Sequence, residues 1–139
     1  MSRSQSDRNG KPPELSDLQL AVMRVLWTRG RATVADVHEA LEAERGLAPT
    51  TIATTLARLE KRGVVEHETA GRQFVYRALY EETEVKRSMV GALTERLFRG
   101  DAAELVNHLL TEREIEPDEL ERLKARIEER QRRDAEDAR

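Results

Sequence analysis

The chain has 139 residues, no cysteine and 4% aromatic residues, and its 24 lysine and arginine residues against 27 acidic residues give a formal net charge of −3. This length suits one or two small domains with an aliphatic core, and the lack of cysteine excludes disulfide bridges and thiolate metal sites and fits a reducing, cytoplasmic compartment. No apolar run in the sequence approaches the roughly 18 residues of a membrane-spanning helix, and the polar first residues do not resemble a signal peptide, so we expect neither.

The acidic balance is confined to the second half of the chain. Residues 1–80 hold 12 basic and 10 acidic residues, whereas residues 81–139 hold 12 basic and 17 acidic residues. A polyanionic partner such as nucleic acid therefore remains compatible with the first half.

A polar arm and a capped helix open the chain. Residues 1–13 are rich in Ser, Arg, Asn, Gly and Pro, which predicts a disordered arm. Ser16 followed by Gln19 has the spacing of a capping box, and a broad apolar face follows it. We therefore expect a first helix that begins after Ser16 and ends at Gly30.

Two more helices are predicted next. Thr33 and Asp36 repeat the cap spacing, so a second helix should open at Thr33 and stop at Gly46. The third helix should run over residues 49–62. At 100° per residue, its apolar side chains fall on one narrow stripe, which consists of Ile52, Leu56 and Leu59.

The opposite face of the third helix is basic and rich in hydroxyl groups. Its residues are Thr51, Thr54, Arg58, Lys61 and Arg62, with Thr55 on the edge. The single acid of this helix, Glu60, lies off that face. Four threonines within residues 50–55 are poor helix formers, and this favours a role in binding over a merely solvated surface.

This face has the chemistry that DNA recognition requires, namely donors for base edges and cations for phosphates. Arg58, at its centre, could bind O6 and N7 of a guanine, and the threonine hydroxyls and methyls could meet other base edges. Lys61 and Arg62 lie at the helix end and suit phosphates. Thr33 could present backbone N–H groups to a phosphate at the start of the second helix.

A β-hairpin is predicted after the third helix. Strands over residues 64–68 and 72–79 flank a three-residue turn at residues 69–71, whose glycine supplies a positive φ. Arg72 follows the turn and would lie near the adjacent DNA backbone or minor groove. The order helix–helix–helix–hairpin predicts that residues 14–80 form a winged helix-turn-helix domain that binds DNA.

From residue 81 to residue 131 the pattern is helical only, so the whole chain is predicted to be mostly α with a small β-hairpin. Gly100-Asp101 interrupts and recaps the pattern, and Pro117 suits the first turn of the last helix. Residues 132–139 are expected to fray.

The apolar stripes of these C-terminal helices are thin. Such helices bury little surface alone, which predicts a dimerisation region that packs against a second copy rather than against its own winged domain. The predicted interface residues are Val85, Met89, Leu93, Leu97, Leu109, Leu110, Leu120, Leu123 and Ile127.

No enzyme or metal site is indicated. The three histidines, His38, His67 and His108, lie far apart in sequence, and none has a partner at metal-ligand spacing. The sequence has no glycine-rich phosphate loop, and no nucleophile–base pair stands out. We expect no metal, cofactor or catalytic activity.

The sequence resembles the BlaI/MecI/CopY penicillinase-repressor family. The segments that carry the resemblance are residues 15–27 for the opening helix, residues 50–63 for the recognition helix, Tyr76, and the Phe-Arg-Gly-Asp stretch at residues 98–101; the similarity extends over about residues 15–129. The resemblance implies a cytoplasmic homodimeric repressor that binds dyad operators, often of the TACA/TGTA type. By position, it implies base contacts for Thr50, Thr54 and Arg58 and a wing contact for Arg72.

Two departures from the family pattern concern the inducing signal. Copper-responsive members carry a C-terminal Cys-x-Cys motif, and a chain without cysteine cannot use it. Antibiotic-responsive members are inactivated by proteolysis at an Asn-Phe bond, which makes a sensor protease a further candidate partner. This sequence contains no Asn-Phe, and its nearest match is Asn107-His108.

Two alternatives compete with the repressor. One is a ligand-sensing regulator of the MarR-like type, which would need a pocket between its domains. The other is a winged helix used as a protein-interaction module, with the acidic second half as its working surface.

Overall fold

The computed structural model describes residues 12–139, so residues 1–11 of the predicted arm lie outside the described residues. The chain forms two compact units: the winged unit, which ends at Leu93, and the C-terminal unit, residues 94–139. The predicted fold class is confirmed, since helices predominate and one small antiparallel sheet accompanies them. None of the described helices is long and apolar enough to cross a membrane.

Helix α1, Asp17–Arg29, begins and ends where the sequence predicts. Ser16 Oγ accepts the backbone N–H of Gln19 at 3.2 Å, and the Gln19 side chain accepts the N–H of Ser16 at 3.0 Å. Gly30, with φ of 85°, closes the helix. These reciprocal bonds satisfy donors that the first turn would otherwise leave without partners.

Helices α2, Val34–Arg45, and α3, Pro49–Lys61, follow the predicted boundaries within one residue. Thr33 caps α2 with a second capping box, and Gly46 ends the helix in the left-handed conformation. No side chain caps α3, and Pro49 occupies its first turn, where the missing N–H costs no hydrogen bond.

Three strands form one antiparallel sheet: β1, Ala32–Thr33; β2, Val65–Ala70; and β3, Gln73–Ala78, in the order β1-β3-β2. The predicted three-residue turn is wrong. The last residue of β2 pairs with the first of β3, which leaves a two-residue turn of Gly71 and Arg72. Such turns match the strand twist when the chain adopts positive φ, and Gly71 has a φ of 63°. The sequence did not predict β1, because two residues are too few for an alternating pattern.

The core of the winged unit is aliphatic, as the composition requires. The three apolar residues of the α3 stripe are fully buried, and so are Met23, Leu26 and Val37 from α1 and α2. Trp27 Nε1 donates a hydrogen bond of 2.8 Å to the carbonyl of Tyr80, which fastens the end of the sheet region to α1.

Helix α4, Glu82–Phe98, begins in the winged unit and ends in the C-terminal unit. Val85 is 1% exposed within the core of the winged unit, and Met89 packs against the same core. The prediction that Val85 lies at a dimer interface is therefore wrong, because its side chain is already covered by its own chain. The compact unit extends beyond the predicted domain boundary at residue 80 for the same reason.

Helices α5, Ala102–Glu112, and α6, Pro117–Asp137, complete the C-terminal unit. Asp101 accepts the N–H of Glu104 at 3.0 Å and caps α5 as predicted. Helix α6 continues through Asp137, so most of residues 132–139, where we predict fraying, is helical in the structure. An Arg130–Asp134 ion pair of 3.3 Å supports this last part of the helix.

Candidate DNA-binding surface

One face of α3 is exposed because the other face is anchored in the core. With the aliphatic stripe buried, the polar side chains on the opposite side point to solvent. The exposed candidates are Thr50, Thr51, Thr54, Arg58, Lys61 and Arg62. The structure therefore brings six of the predicted site residues together on α3 and its C-cap residue, Arg62.

Thr55 does not belong to this surface. Its side chain is 7% exposed, and Oγ1 donates to the carbonyl of Thr51 at 2.8 Å. The prediction that Thr55 contacts DNA is wrong, because the edge of the helix on which it lies turns into the core and its hydroxyl is used locally.

Arg62 is exposed, but its guanidinium already has partners. Nη2 donates to the carbonyl of Glu14 at 2.8 Å, and Nη1 donates to the side chain of Gln19 at 3.2 Å. These bonds tie the end of α3 to the start of α1. Arg62 therefore holds the exposed helix in place, whether or not it also meets a phosphate.

The start of α2 does not offer the phosphate site that we predicted at Thr33. The N–H of Thr33 donates to Asp36 Oδ2 at 2.9 Å, and the N–H of Asp36 donates to the Thr33 hydroxyl at 3.1 Å. Hydrogen bonding by the Thr33 backbone first, and by the Thr33 side chain second, lowers the pKa of the Asp36 carboxyl below its ordinary value. A charged carboxylate thus occupies this helix end, where it would repel a phosphate.

Arg72 lies on the two-residue turn at the tip of the hairpin, where it is exposed. A groove of about 610 Å³ lies within the winged unit between this tip and the starts of α2 and α3. Val34, Pro49 and Phe74 give the groove a mainly apolar lining, and Arg72 contributes to its wall.

A cluster at the side of α3 joins the helix to the hairpin. Nδ1 of His67 lies 2.7 and 2.8 Å from the two carboxylate oxygens of Glu60, and the backbone N–H of His67 donates to the same carboxylate at 3.2 Å. The His67 ring stacks on Phe74, with centroids 4.0 Å apart. Burial, and then the charge of Glu60, raises the pKa of Tyr76 beside it.

Sequence reasoning did not find this cluster. It treated His67 as an ordinary histidine and Glu60 as the acid that lies off the polar face. The sequence offers one hint, since helical spacing places Glu60 off the polar face, but it does not show which residue Glu60 contacts. Elsewhere, no group of three or more potential metal ligands occurs among residues 12–139.

Comparison with known proteins identifies the family. A family model described as penicillinase repressor matches residues 15–129. The chain belongs to the penicillinase repressor family. The transcriptional regulator BlaI of Mycobacterium tuberculosis is 39% identical over 121 residues, which cover 85% of this chain and 88% of that protein. The penicillinase repressor of Bacillus licheniformis is 29% identical and covers 86% of this chain and 93% of its own length.

The methicillin resistance regulatory protein MecI of Staphylococcus aureus is 25% identical over 84% of this chain and 94% of its own length. Among solved structures, the DNA-binding domain of the repressor BlaI is 36% identical and covers 53% of this chain and 90% of its own, with a TM-score of 0.49. The family is one of transcriptional repressors. This penicillinase repressor homologue is thus a DNA-binding transcriptional repressor and not an enzyme.

Proposed function

We propose that this repressor acts as a homodimer and inserts α3 of each protomer into the major groove of one half of a dyad operator. The observation that carries the proposal is the exposed face of α3, which combines hydroxyl groups and cations on a helix fixed in the core. A helix of this kind fits the major groove, where base edges present a distinct pattern of donors and acceptors. Bound there, the protein would block transcription.

Individual roles follow from position on that face and from the family resemblance. Arg58 would bind a guanine bidentately, and Thr50 and Thr54 would contact neighbouring bases. Thr51 would offer its hydroxyl and methyl to a further base edge, Lys61 would meet the phosphate backbone, and Arg72 would reach the backbone from the tip of the hairpin. Phosphate contacts fix the register, whereas base contacts select the sequence.

Exposed apolar residues in the second half support the homodimer. Helices α5 and α6 lie wholly within the described residues, and neither has a buried residue. Seven predicted interface residues are exposed by 38–67%: Leu93, Leu97, Leu109, Leu110, Leu120, Leu123 and Ile127. Exposed apolar surface of this extent is typical of protein interfaces, and an identical chain offers the matching stripe.

A two-fold dimer would set the spacing of the operator. Its two recognition helices would read half-sites about one helical turn apart, roughly 34–36 Å. Because the proposed target is chromosomal DNA, we place the protein in the cytoplasm.

A sensor protease is the second partner that we propose. Asn107-His108, the nearest match to the bond cleaved in antibiotic-responsive members, is exposed on α5. A neighbouring gene for a membrane protease would support this route. So would cleavage of the purified repressor within α5 by that protease. Intact repressor after incubation with that protease would contradict it.

The DNA contact is tested by an electrophoretic mobility shift on the protein's own promoter at fixed salt. We expect Arg58→Ala to weaken operator binding by about 1–3 kcal/mol and to relax specificity at one base pair. Arg24→Ala removes the same charge from an exposed position on α1 and serves as the control. Equal affinities of Arg58→Ala and the parent would overturn the assignment. Steep weakening of parent binding with salt would confirm phosphate contacts.

A further inference from the structure

We propose that the contact between Glu60 and His67 sets the angle between α3 and the hairpin, so that both elements can contact one operator at the same time. Glu60 and His67 are then positioning residues for DNA binding, acting through the residues that touch DNA. This inference rests on the proposed function, since it assumes that α3 and the hairpin are the two DNA-contacting elements.

The first argument is the geometry of the contact, here called the helix–hairpin link. Both carboxylate oxygens of Glu60 are engaged, at 2.7 and 2.8 Å by Nδ1 of His67 and at 3.2 Å by its backbone N–H. The side chains of Glu60 and His67 are only 22% and 28% exposed. Hydrogen bonds to a partly buried carboxylate are stronger than those to an exposed one, since water competes less for the same atoms.

The second argument is what the link joins. Glu60 belongs to α3, two residues beyond Arg58, whereas His67 belongs to β2. The His67 ring stacks nearly parallel on Phe74, with an interplanar angle of 19°, so the link extends to β3. Phe74 lies two residues from Arg72, and the link therefore connects the exposed face of α3 with the tip of the hairpin.

The third argument is where along the hairpin the link acts. Backbone bonds already fix the base of the hairpin: Val64 N–H donates to the carbonyl of Leu59 at 2.9 Å, and Leu79 N–H donates to that of Val64 at 2.8 Å. The link lies between this base and the exposed turn. At the same level β1 pairs with Val75 and Tyr76 and holds β3, while His67 lies opposite Tyr76 on the outer strand β2. The link therefore fixes the β2 side of the hairpin relative to α3, where neither the base bonds nor β1 reaches.

A neighbouring ion pair shows the contrast. Arg31 contacts Glu68 on β2 at 3.0 Å, but the two side chains are 59% and 64% exposed. Exposed pairs of this kind contribute little, because water and salt screen them. Among the contacts of β2 with other elements, we therefore assign the positioning role to Glu60 and His67.

The test uses the full-length repressor and its operator. Glu60→Met keeps the length of the side chain and removes its acceptors, His67→Phe keeps the ring that stacks on Phe74, and Glu60→Gln keeps one acceptor oxygen. Glu42→Met is the matched control. It removes one negative charge and a His38–Glu42 pair of 3.1 Å in which both partners lie on α2.

Two measurements are made at fixed salt and at a temperature where circular dichroism shows each variant folded: operator affinity and the hydroxyl-radical footprint. We expect Glu60→Met and His67→Phe each to lose about tenfold in affinity relative to Glu42→Met, the scale of one charge-assisted hydrogen bond. The double variant should lose no more than either single variant, and Glu60→Gln should recover most of the affinity. The footprint should lose protection of the backbone sugars at the hairpin contacts and keep protection of the sugars that flank the α3 contacts.

The proposal is overturned if Glu60→Met and His67→Phe bind as tightly as Glu42→Met, or if they weaken every protected position equally. A lower unfolding temperature with an unchanged footprint would equally contradict it, because that pattern belongs to a purely structural contact. Failure of the proposed function is distinguishable. In that case the parent itself gives no footprint, or Arg58→Ala binds like the parent.

Discussion

The winged unit buries its apolar side chains, whereas the C-terminal unit leaves many of them exposed. In the winged unit the aliphatic residues of three helices and a sheet cover one another, and Leu56 has no exposed surface. In the C-terminal unit leucines repeat with the same helical spacing, yet Ile127 is 55% exposed and Leu123 is 45% exposed. The comparison shows that helical periodicity predicts an apolar face but not what covers it.

The two halves of the sequence, divided after residue 80, also differ in charge, and the difference matches the proposed division of labour. The first half of the sequence is slightly basic and carries Arg58, Lys61 and Arg62 on α3 and its C-cap, whereas the second half is acidic. A negative C-terminal half would limit nonspecific attraction to DNA, so that binding depends on the surface that reads the sequence.

The largest expected effect is on the free energy of unfolding and comes from a substitution that leaves a cavity in the core of the winged unit. Leu56→Ala should lower the free energy of unfolding of the winged unit by about 2–5 kcal/mol, since it removes fully buried methyl groups and leaves a cavity. Urea unfolding followed by the fluorescence of Trp27, the single tryptophan of the chain, measures this directly. Leu123→Ala is the comparison and should shift the Trp27 transition by less than about 1 kcal/mol. Equal shifts would remove the distinction between the units.

A charge in the C-terminal stripe should have the next largest effect, and on association instead of folding. Leu123→Asp would place one carboxylate from each protomer in the proposed interface and weaken the dimer by roughly 3 kcal/mol. Sedimentation velocity should show monomer at a concentration where the parent is a dimer. Ala125→Asp, on the opposite face of α6, should leave the dimer intact. A parent protein that is monomeric at micromolar concentration would rule out the homodimer.

The smallest expected effect is a pH dependence within the winged unit. Because hydrogen bonds from Thr33 lower the pKa of Asp36 in the folded state, its stabilising contribution is present above the ordinary pKa of aspartate and is lost as the pH falls through the lower, folded value. When the pH is lowered from 7 to about 2.5, the Asp36→Asn variant should therefore lose less stability than the parent protein. Thermal melts of both proteins at the two pH values provide the measurement. If the melting temperature falls by the same amount in both proteins, the cap carries no pH-dependent stability.

The features that the sequence predicts well are those decided by neighbouring residues. Both capping boxes, the glycines that end α1 and α2, and the buried stripe of α3 depend on spacings of three or four residues, and the structure confirms them. The exposed face of α3 follows from that stripe. It was predicted except for Thr55, whose position at the edge decided its burial.

The features that escaped prediction depend on contacts between elements. The leucine and valine repeat of α4 runs unbroken across the boundary between the units, so the repeat alone could not show that Val85 is buried in the winged unit. The helix–hairpin link is likewise invisible to periodicity. Glu60 and His67 are seven residues apart in different elements, and only the packing of β2 beside α3 brings them together.

The path of α4 has a practical consequence for dividing this protein. A DNA-binding fragment that ended at residue 80 would lose Val85 and Met89, and with them part of the wall that closes its own interior. A fragment that ended after Leu93 would keep that wall and discard most of the exposed leucines. The compact winged unit therefore includes the first three turns of α4, which the predicted boundary at residue 80 assigned to the other half.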